Sequence, residues 1–259
     1  MKKIWMILLA VAMLGSLATA TGCSTDTATA ESQETFVFAN SGAYKPFSFD
    51  EGGQIVGFDV DIANEIAKRL DREPVMNSPV PFDALIQGLK AGKYDALVAS
   101  HGITEERALV VDFSRPYYRS GAQIFVGEGT TDISGPADLA GKKIGVVKAS
   151  TYLDLAESLT DADKVITYDS DVIALQDLTT GRLDAVITDK LVGLMARNEA
   201  GLKINAISDP LQQDEMGIVV QKGDTELLAE IDKALNDMIA DGTYEEISMR
   251  WFGENILGE

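Results

Sequence analysis

Gly57-Phe58-Asp59-Val60-Asp61 is the stretch that best defines the fold, because it opens the first long amphipathic segment of the chain. We predict a helix from Asp59 to Leu70. Apolar residues recur there at four-residue steps, as one buried face of a helix requires, with small residues beside them: Ile62, Ile66 and Leu70, with Ala63 and Ala67. A helix with a single apolar face needs a second layer to cover it.

The sequence around this helix supplies that layer, since short apolar strands alternate with amphipathic helices along the chain. Predicted strands are Thr35–Ala39, Ala96–Ala99, Ile124–Val126, Lys143–Val147, Ala185–Ile187 and Gly217–Val220. Further predicted helices are Phe82–Leu89, Tyr152–Leu159, Ile173–Thr179, Leu191–Asn198 and Thr225–Ala240. The alternation predicts an α/β fold.

Two proline-containing segments divide this pattern. Arg115–Gly121 follows the first set of elements, and Asp209–Gln213 precedes the strand that ends the second set. If both are crossovers, the chain builds one lobe, then a second, and returns to the first. We therefore predict lobe 1 from residues 35–119 and 212–259 and lobe 2 from residues 120–211, joined by a two-strand hinge. A cleft between such lobes is suited to closing around a ligand.

Residues 1–34 have the features of an export segment. Two lysines precede an uncharged apolar run from Ile4 to Leu14, which is shorter than the ~20 residues of a membrane-spanning helix. We predict a signal peptide over residues 1–22. Cys23 is either an incidental thiol or a lipidated N-terminus, and Ala20-Thr21-Gly22-Cys23 resembles the bacterial lipobox. On the second interpretation, residues 23–34 form a lipid-anchored flexible linker.

Composition narrows the classes of partner. The chain has 259 residues and a formal net charge of −19. Such an acidic body would be repelled by nucleic acid and by anionic lipid, so we expect neither as a partner. The single cysteine excludes an intramolecular disulfide, so the mature fold depends on its apolar core.

A set of short motifs occurs in a fixed order along the chain. Besides the stretch quoted first, these are Tyr44–Phe47, Ile103–Arg107, Val111–Ser114, Tyr117-Tyr118, Gly242–Tyr244 and Trp251–Gly253. The ordered set resembles the polar amino-acid-binding proteins of ABC importers, extracellular solute-binding protein family 3, from about Thr35 to Gly253. The resemblance implies a periplasmic-binding-protein-like fold of type II, with two α/β lobes. It also implies a free amino acid as ligand and an ABC importer permease and ATPase complex as partners.

The resemblance assigns the α-carboxylate of the ligand to Arg107 and Thr151. A carboxylate in a closing cleft needs a bidentate cation and backbone N–H donors, and a planar guanidinium supplies the first. The alternatives are an exposed arginine at a helix start and a plain N-cap threonine. Similar proteins often carry Ser or Thr where this chain has Gly102, so one hydroxyl contact is missing. Ser100 is the candidate to replace it with its hydroxyl or carbonyl.

The resemblance assigns the α-ammonium group to Asp189, which follows the predicted strand Ala185–Ile187. The alternative is an N-cap aspartate. Tyr44 and Phe82 match the aromatic pair that encloses the ligand side chain, although Phe82 is equally placed for the core.

Three further residues bear on the ligand side chain or the cleft. Ser41 replaces an acid present in relatives that resemble binders of basic amino acids, so a cationic side chain would lack a partner there. We therefore expect a neutral polar or acidic ligand. Lys148 matches a lysine that helps hold the ligand in some glutamine-binding relatives, or else lies in solvent. His101, the sole histidine, is either a structural residue or a pH-sensitive contact.

We expect a binding protein and not an enzyme. The sequence offers no HExxH, no CxxC, no Walker-type loop and no evident Ser-His-Asp set, and we expect no cofactor and no metal site. Two alternatives remain: a sensory module that signals in trans, and a dehydratase-like enzyme using His101 and Asp189 as acid and base. The predicted protein is an exported monomer, lipid-anchored at the outer face of the cell membrane.

Overall fold

The computed structural model describes residues 34–258 of the chain. The predicted signal peptide, Cys23 and the linker before residue 34 lie outside these residues. The strands are Thr35–Ala39 (β1), Ala43–Tyr44 (β2), Ser48–Glu51 (β3), Gln54–Val56 (β4), Glu73–Asn77 (β5), Ala96–Gly102 (β6), Val111–Gly127 (β7), Ile144–Val147 (β8), Val165–Tyr168 (β9), Ala185–Asp189 (β10) and Ile204–Gln221 (β11). The α-helices are Phe58–Arg69 (α1), Phe82–Lys90 (α2), Glu105–Ala108 (α3), Tyr152–Leu159 (α4), Asp171–Thr179 (α5), Lys190–Asn198 (α6), Thr225–Asp241 (α7) and Thr243–Phe252 (α8).

Eight strands form one mixed sheet in the order β5-β1-β6-β11-β7-β10-β8-β9, and β2, β3 and β4 form a small antiparallel sheet. In the large sheet, β1 pairs in parallel with β5 and β6, and β8 pairs in parallel with β9 and β10. The long strands β7 and β11 lie antiparallel between these two parallel groups. The predicted α/β fold class is therefore confirmed.

The opening stretch folds as a sharp entry into α1. Gly57 has φ 138°, a conformation that favours glycine. A Cβ at this position would lie 2.2 Å from the carbonyl oxygen of Phe47, so the close backbone approach also requires glycine. The helix then begins at Phe58, one residue before the predicted start.

The two aspartates of this stretch connect α1 to distant parts of the chain. Asp59 is fully buried, and its carboxylate accepts a hydrogen bond of 2.7 Å from the Tyr117 hydroxyl. Asp61 accepts hydrogen bonds of 2.8 Å from Arg250 and from the indole N–H of Trp251 in α8. The motifs that are far apart in sequence therefore meet in one place.

The two proline-containing segments lie within the long strands β7 and β11 and do not separate shorter ones. The predicted short strands Ile124–Val126 and Gly217–Val220 are parts of these 17- and 18-residue strands. Pro116 and Pro210 lie at register shifts between the two strands. The regular hydrogen-bond pattern is already broken there, so the missing proline N–H removes no regular strand–strand hydrogen bond. A Cβ at Gly121 would lie 2.4 Å from the carbonyl oxygen of Gln212, so glycine allows the two strands to approach closely there.

The buried apolar residues form separate clusters on the two sides of the long strands. The largest cluster packs α1 against α7 through Ile62, Ile66, Ile231, Leu235 and Met238, together with aromatic residues such as Phe58 and Tyr117. Other clusters join α4 to β8 and β10, and α5 to β7 and β10. The division into two lobes and its residue boundaries remain a prediction. None of the helices described between residues 34 and 258 has the length and hydrophobicity to cross a membrane.

Candidate functional site

A cavity with about 580 Å³ of space free of protein atoms, open solvent included, lies between the end of β6 and the N-termini of α4 and α5. The fold brings seven of the nine predicted ligand-binding residues to its walls: Ser41, Tyr44, Phe82, Ser100, Gly102, Arg107 and Thr151. Asp189 and Lys148 are not among the lining residues. The lining residues come from segments more than a hundred positions apart, so only the tertiary structure assembles them.

Arg107 joins both sides of the cavity. Its backbone N–H donates to the Thr104 hydroxyl, which caps α3. Its guanidinium donates to the carbonyl oxygens of Gly102 at 3.0 Å and of Ala149 at 2.9 Å. Burial lowers the pKa of Arg107, because a desolvated cation is less stable than a hydrated one. A half-buried guanidinium with N–H groups to spare is suited to a bidentate anion.

Thr151 and Gly102 lie beside this guanidinium. Thr151 precedes the first residue of α4, and its side chain makes no capping hydrogen bond to that helix. A Cβ at Gly102 would lie 3.4 Å from Cγ2 of Thr151 and 3.6 Å from Nη1 of Arg107. These three residues therefore form one corner of the cavity, with a cation and a helix N-terminus that both favour negative charge.

Asp189 is fully buried at the end of β10. Its Oδ1 accepts hydrogen bonds of 2.7 Å from the Ser120 hydroxyl and from the backbone N–H of Leu191, so it caps α6. Its Oδ2 is buried and has no hydrogen-bond partner among the described residues. Burial raises the pKa of Asp189 to about 7. Burial and, after it, the charge of Asp189 raise the pKa of Tyr44.

Phe82 connects the cavity to the single histidine. The Phe82 ring stacks on His101 with ring centroids 4.6 Å apart, and the Arg107 guanidinium lies 6.0 Å from the Phe82 centroid. His101 is buried and its Nδ1 has no partner among the described residues. Burial and the charge of Arg107 lower the pKa of His101 well below its usual value. His101 is therefore a neutral ring behind Phe82, and it does not line the cavity.

Ser41 and Lys148 lie at the edge of the site. The Ser41 hydroxyl accepts a hydrogen bond of 3.3 Å from the backbone N–H of Ala43 and contributes to the cavity wall. Lys148 is exposed and donates to Asp169 at 2.6 Å. The hydrogen bond to Asp169 raises the pKa of Lys148. The Lys148 ammonium group, which the sequence offered as a ligand contact, is therefore paired with Asp169.

Comparison with known proteins identifies the family of this chain. The family model of the bacterial extracellular solute-binding proteins, family 3, matches residues 36–254. The chain belongs to this family. Among characterised relatives, it is 32% identical over 224 residues to the L-cystine-binding protein TcyJ of Escherichia coli, covering 86% of this chain and 84% of that protein. It is 36% identical over 226 residues to the L-arginine-binding protein of Pseudomonas aeruginosa, covering 83% of this chain and 87% of that protein.

A solved structure supports the fold of this solute-binding protein. An ancestral arginine-binding protein bound to glutamine superposes with a TM-score of 0.80 and is 39% identical. The match covers 86% of this chain and 99% of that structure. The periplasmic-binding-protein-like fold implied by the sequence motifs is therefore confirmed.

The structure of this solute-binding protein adds cavity residues that the sequence interpretation missed. Asp169, Ser170 and Asp171 line the wall at the N-terminus of α5, and Tyr152 and Met216 are among its other residues. The Asp171 carboxylate is 6% exposed and accepts a hydrogen bond from the Thr188 hydroxyl. Burial raises the pKa of Asp171 to about 6. The sequence signal was the N-cap Ser170 before an apolar helix, which marks a helix N-terminus but not which cavity it faces.

The cavity wall carries groups that can bind a small charged molecule. Among the residues from 34 to 258, no group of three or more histidine, cysteine or acidic side chains is arranged to hold a metal ion. The lining side chains offer one cation, the carboxylates of Asp169 and Asp171, hydroxyl groups and aromatic rings. This set matches the two charged ends of a zwitterion.

Proposed function

We propose that this solute-binding protein captures a free amino acid by its α-carboxylate and α-ammonium groups and delivers it to an ABC importer. The observation that carries the proposal is a cation in the cavity wall together with a buried acid at the end of β10. The Arg107 guanidinium donates to carbonyl oxygens and has N–H groups to spare, and the Asp189 Oδ2 is buried without a partner. One molecule that carries both a carboxylate and an ammonium group satisfies both.

The names of the relatives support an amino acid as ligand, since the two relatives above are described as binding L-cystine and L-arginine. The sequence favoured a ligand with a neutral polar or an acidic side chain. This proposal keeps the neutral ligand and drops the acidic one. Among the described residues that line the cavity, Arg107 is the only one with a cationic side chain, whereas Asp169 and Asp171 both contribute to the wall. An acidic side chain would meet carboxylates without a second cation.

A second cationic nitrogen on the ligand is the alternative, and Asp171 is the observation that favours it. This buried carboxylate lies in the cavity wall, and the ligand backbone groups are already matched by Arg107 and Asp189. The absence of an acid at Ser41 argues the other way. The two preferences differ only in the side chain and leave the amino-acid proposal unchanged.

The test is a thermal-shift screen of the purified mature protein against the standard amino acids, L-cystine, L-ornithine and L-citrulline. A true ligand at a hundred times its Kd stabilises the folded state by about 2.7 kcal/mol, which raises Tm by roughly 5–10 °C. The pair of L-arginine and its uncharged analogue L-citrulline separates the two side-chain preferences. If no amino acid raises Tm, the proposal is wrong.

The proposal includes export of the protein and its anchoring through Cys23. The receptor is a monomer whose two lobes close at a hinge around the ligand. It also holds that the protein has no enzymatic turnover. His101, the acid–base candidate of the dehydratase alternative, lies behind Phe82 as a neutral ring.

Cys23→Ser should release the protein into the medium, measured by immunoblotting of cell and medium fractions. A variant that stays with the membrane would contradict the anchor.

A further inference from the structure

Asp59 lies beneath the cavity, in the stretch that begins α1, and no ligand role follows from its sequence motif alone. The carboxylate is fully buried. It accepts a hydrogen bond of 2.7 Å from the Tyr117 hydroxyl on Oδ1 and one of 3.1 Å from the Ser100 hydroxyl on Oδ2. Asp59 does not touch the cavity, whereas Ser100 lines it. Ser100 is therefore the connection between a buried acid and the ligand.

The backbone of Ser100 is held in the same network. Ser100 has φ 55°, a left-handed conformation that is uncommon for a residue other than glycine. Its backbone N–H donates to the Tyr117 hydroxyl at 3.0 Å, and that hydroxyl in turn donates to Asp59. The network thus fixes both the N–H and the side chain of Ser100. What remains available towards the cavity is the lone pairs of its hydroxyl.

A hydroxyl has one proton to donate, and Ser100 gives it to Asp59. Towards the cavity, the Ser100 hydroxyl can therefore only accept a hydrogen bond. An acceptor suits an ammonium group and not a carboxylate.

We propose that Asp59 is a positioning residue that makes Ser100 a hydrogen-bond acceptor for the ligand ammonium, acting together with Asp189. This inference rests on the proposed amino-acid function and deepens it, because it assigns a second anionic residue to ammonium recognition without direct contact. It also explains why the missing hydroxyl at Gly102 is not replaced by Ser100: the Ser100 hydroxyl has no proton left for a carboxylate.

The surroundings of Asp59 make its charge sensitive to a nearby cation. The titratable groups that face it are the phenols of Tyr117, Tyr118 and Tyr244, and none of these neutral groups compensates a carboxylate charge. Burial raises the pKa of Asp59 to about 7. A bound ammonium group favours the ionised carboxylate, so binding releases protons in the pH range just below 7.

The test is a double-mutant cycle on the mature protein with Asp59→Asn, Ser100→Ala and the double variant. Each is titrated calorimetrically with L-cystine, L-arginine and L-glutamine. In Asp59→Asn the amide N–H donates to the Ser100 hydroxyl, which turns the serine proton towards the ammonium. We expect each single variant to lose about tenfold in affinity for the probe that binds the wild type, and the double variant to lose no more than either. Asp61→Asn, a partly buried neighbour in the same stretch that does not line the cavity, is the control and should bind as the wild type does.

The pH dependence separates positioning from a loss of structure. Wild-type affinity should rise from pH 5.5 to 7.5, and Asp59→Asn should flatten part of that rise. Additive losses, or an unchanged Asp59→Asn, would overturn the inference while leaving the amino-acid receptor intact. If Asp59→Asn does not fold, the affinity of Ser100→Ala becomes the test. An affinity equal to that of the wild type in Ser100→Ala also overturns the inference. Wild-type protein that binds none of the probes or screened amino acids overturns the proposed function together with this inference.

Discussion

Arg107 is held by local and distant contacts. The local ones are the Thr104 cap at the start of the same short helix and the hydrogen bond from the guanidinium to the carbonyl oxygen of Gly102. The distant one is the hydrogen bond to the carbonyl oxygen of Ala149, 42 residues away, which fixes the guanidinium across the cavity. The charge can be assigned from the sequence, but its direction depends on these contacts.

Arg107→Ala should abolish ligand binding, because the carboxylate would remain buried without a partner at a cost of roughly 3–5 kcal/mol. Arg107→Lys keeps the charge but not the planar fork, and should recover only part of the affinity. Isothermal titration calorimetry with the ligand from the thermal screen measures both. Micromolar binding retained by Arg107→Ala would contradict the assignment of the carboxylate.

Gly102→Ser should restore the missing hydroxyl at the same corner. The new Cβ would make ordinary van der Waals contacts, the nearest at 3.4 Å to Thr151. We expect a gain of up to about 1 kcal/mol, or close to fivefold in Kd. Gly102→Ala adds the same Cβ without the hydroxyl and serves as the matched control. Equal affinities of the two variants would show that no hydroxyl contact is made.

At the scale of elements, α2 is placed by a close contact between a glycine and a tyrosine. The Tyr94 hydroxyl donates to the carbonyl oxygen of Leu85 at 3.0 Å and fills the space beside Gly88. This contact seats α2 against β6, and α2 carries Phe82 into the cavity wall. The sequence predicts the helix, but its seating depends on this fit.

Gly88→Ala should destabilise the protein by about 1–3 kcal/mol through overpacking, because the new Cβ would lie 1.7 Å from the Tyr94 hydroxyl. Gly135→Ala is the control, since its Cβ would meet nothing within 4 Å and its backbone is extended. Urea unfolding of both variants gives the free energies of unfolding. Equal stability of the two would mean that Tyr94 moves aside without cost.

At the scale of the whole molecule, the acids buried around the cavity connect stability to pH. Burial raises the pKa values of Asp59 and Asp189 to about 7 and that of Asp171 to about 6. The folded state therefore keeps protons that the unfolded state has already lost above pH 4. Each such proton difference reduces the free energy of unfolding by about 1.4 kcal/mol per pH unit.

We expect the Tm of the ligand-free protein to fall by several degrees from pH 5 to pH 8. His101 opposes this fall only below about pH 6.5, since its lowered pKa makes stability rise with pH there. Asp241, whose pKa is lowered to about 2, contributes a constant amount across the range. Calorimetry at three pH values tests this, and Asp189→Asn should reduce the fall. A Tm that rises steadily to pH 8 would contradict the ionisation of these buried acids.

The alternation of strands and helices could be predicted from the sequence, because apolar periodicity depends on neighbours within a few residues. Helix α4 is predicted at its observed bounds Tyr152–Leu159, and α1 and α7 within a residue at each end. The order of the motifs also indicated the family. The sequence failed at the long strands, because the prolines of β7 and β11 read as breaks and only their pairing partners show that the strands continue.

The assembly of the site depends on the tertiary structure. Its wall includes both Ser41 and Asp171 and places Gly102 beside Thr151, and no local pattern encodes such distant combinations. In the structure, His101 is a neutral ring stacked on Phe82, and the Oδ2 of Asp189 has no hydrogen-bond partner among the described residues. Burial and the direction of a hydrogen bond are properties of packed neighbours. They decide what a side chain can do, whereas the sequence decides only which side chain is there.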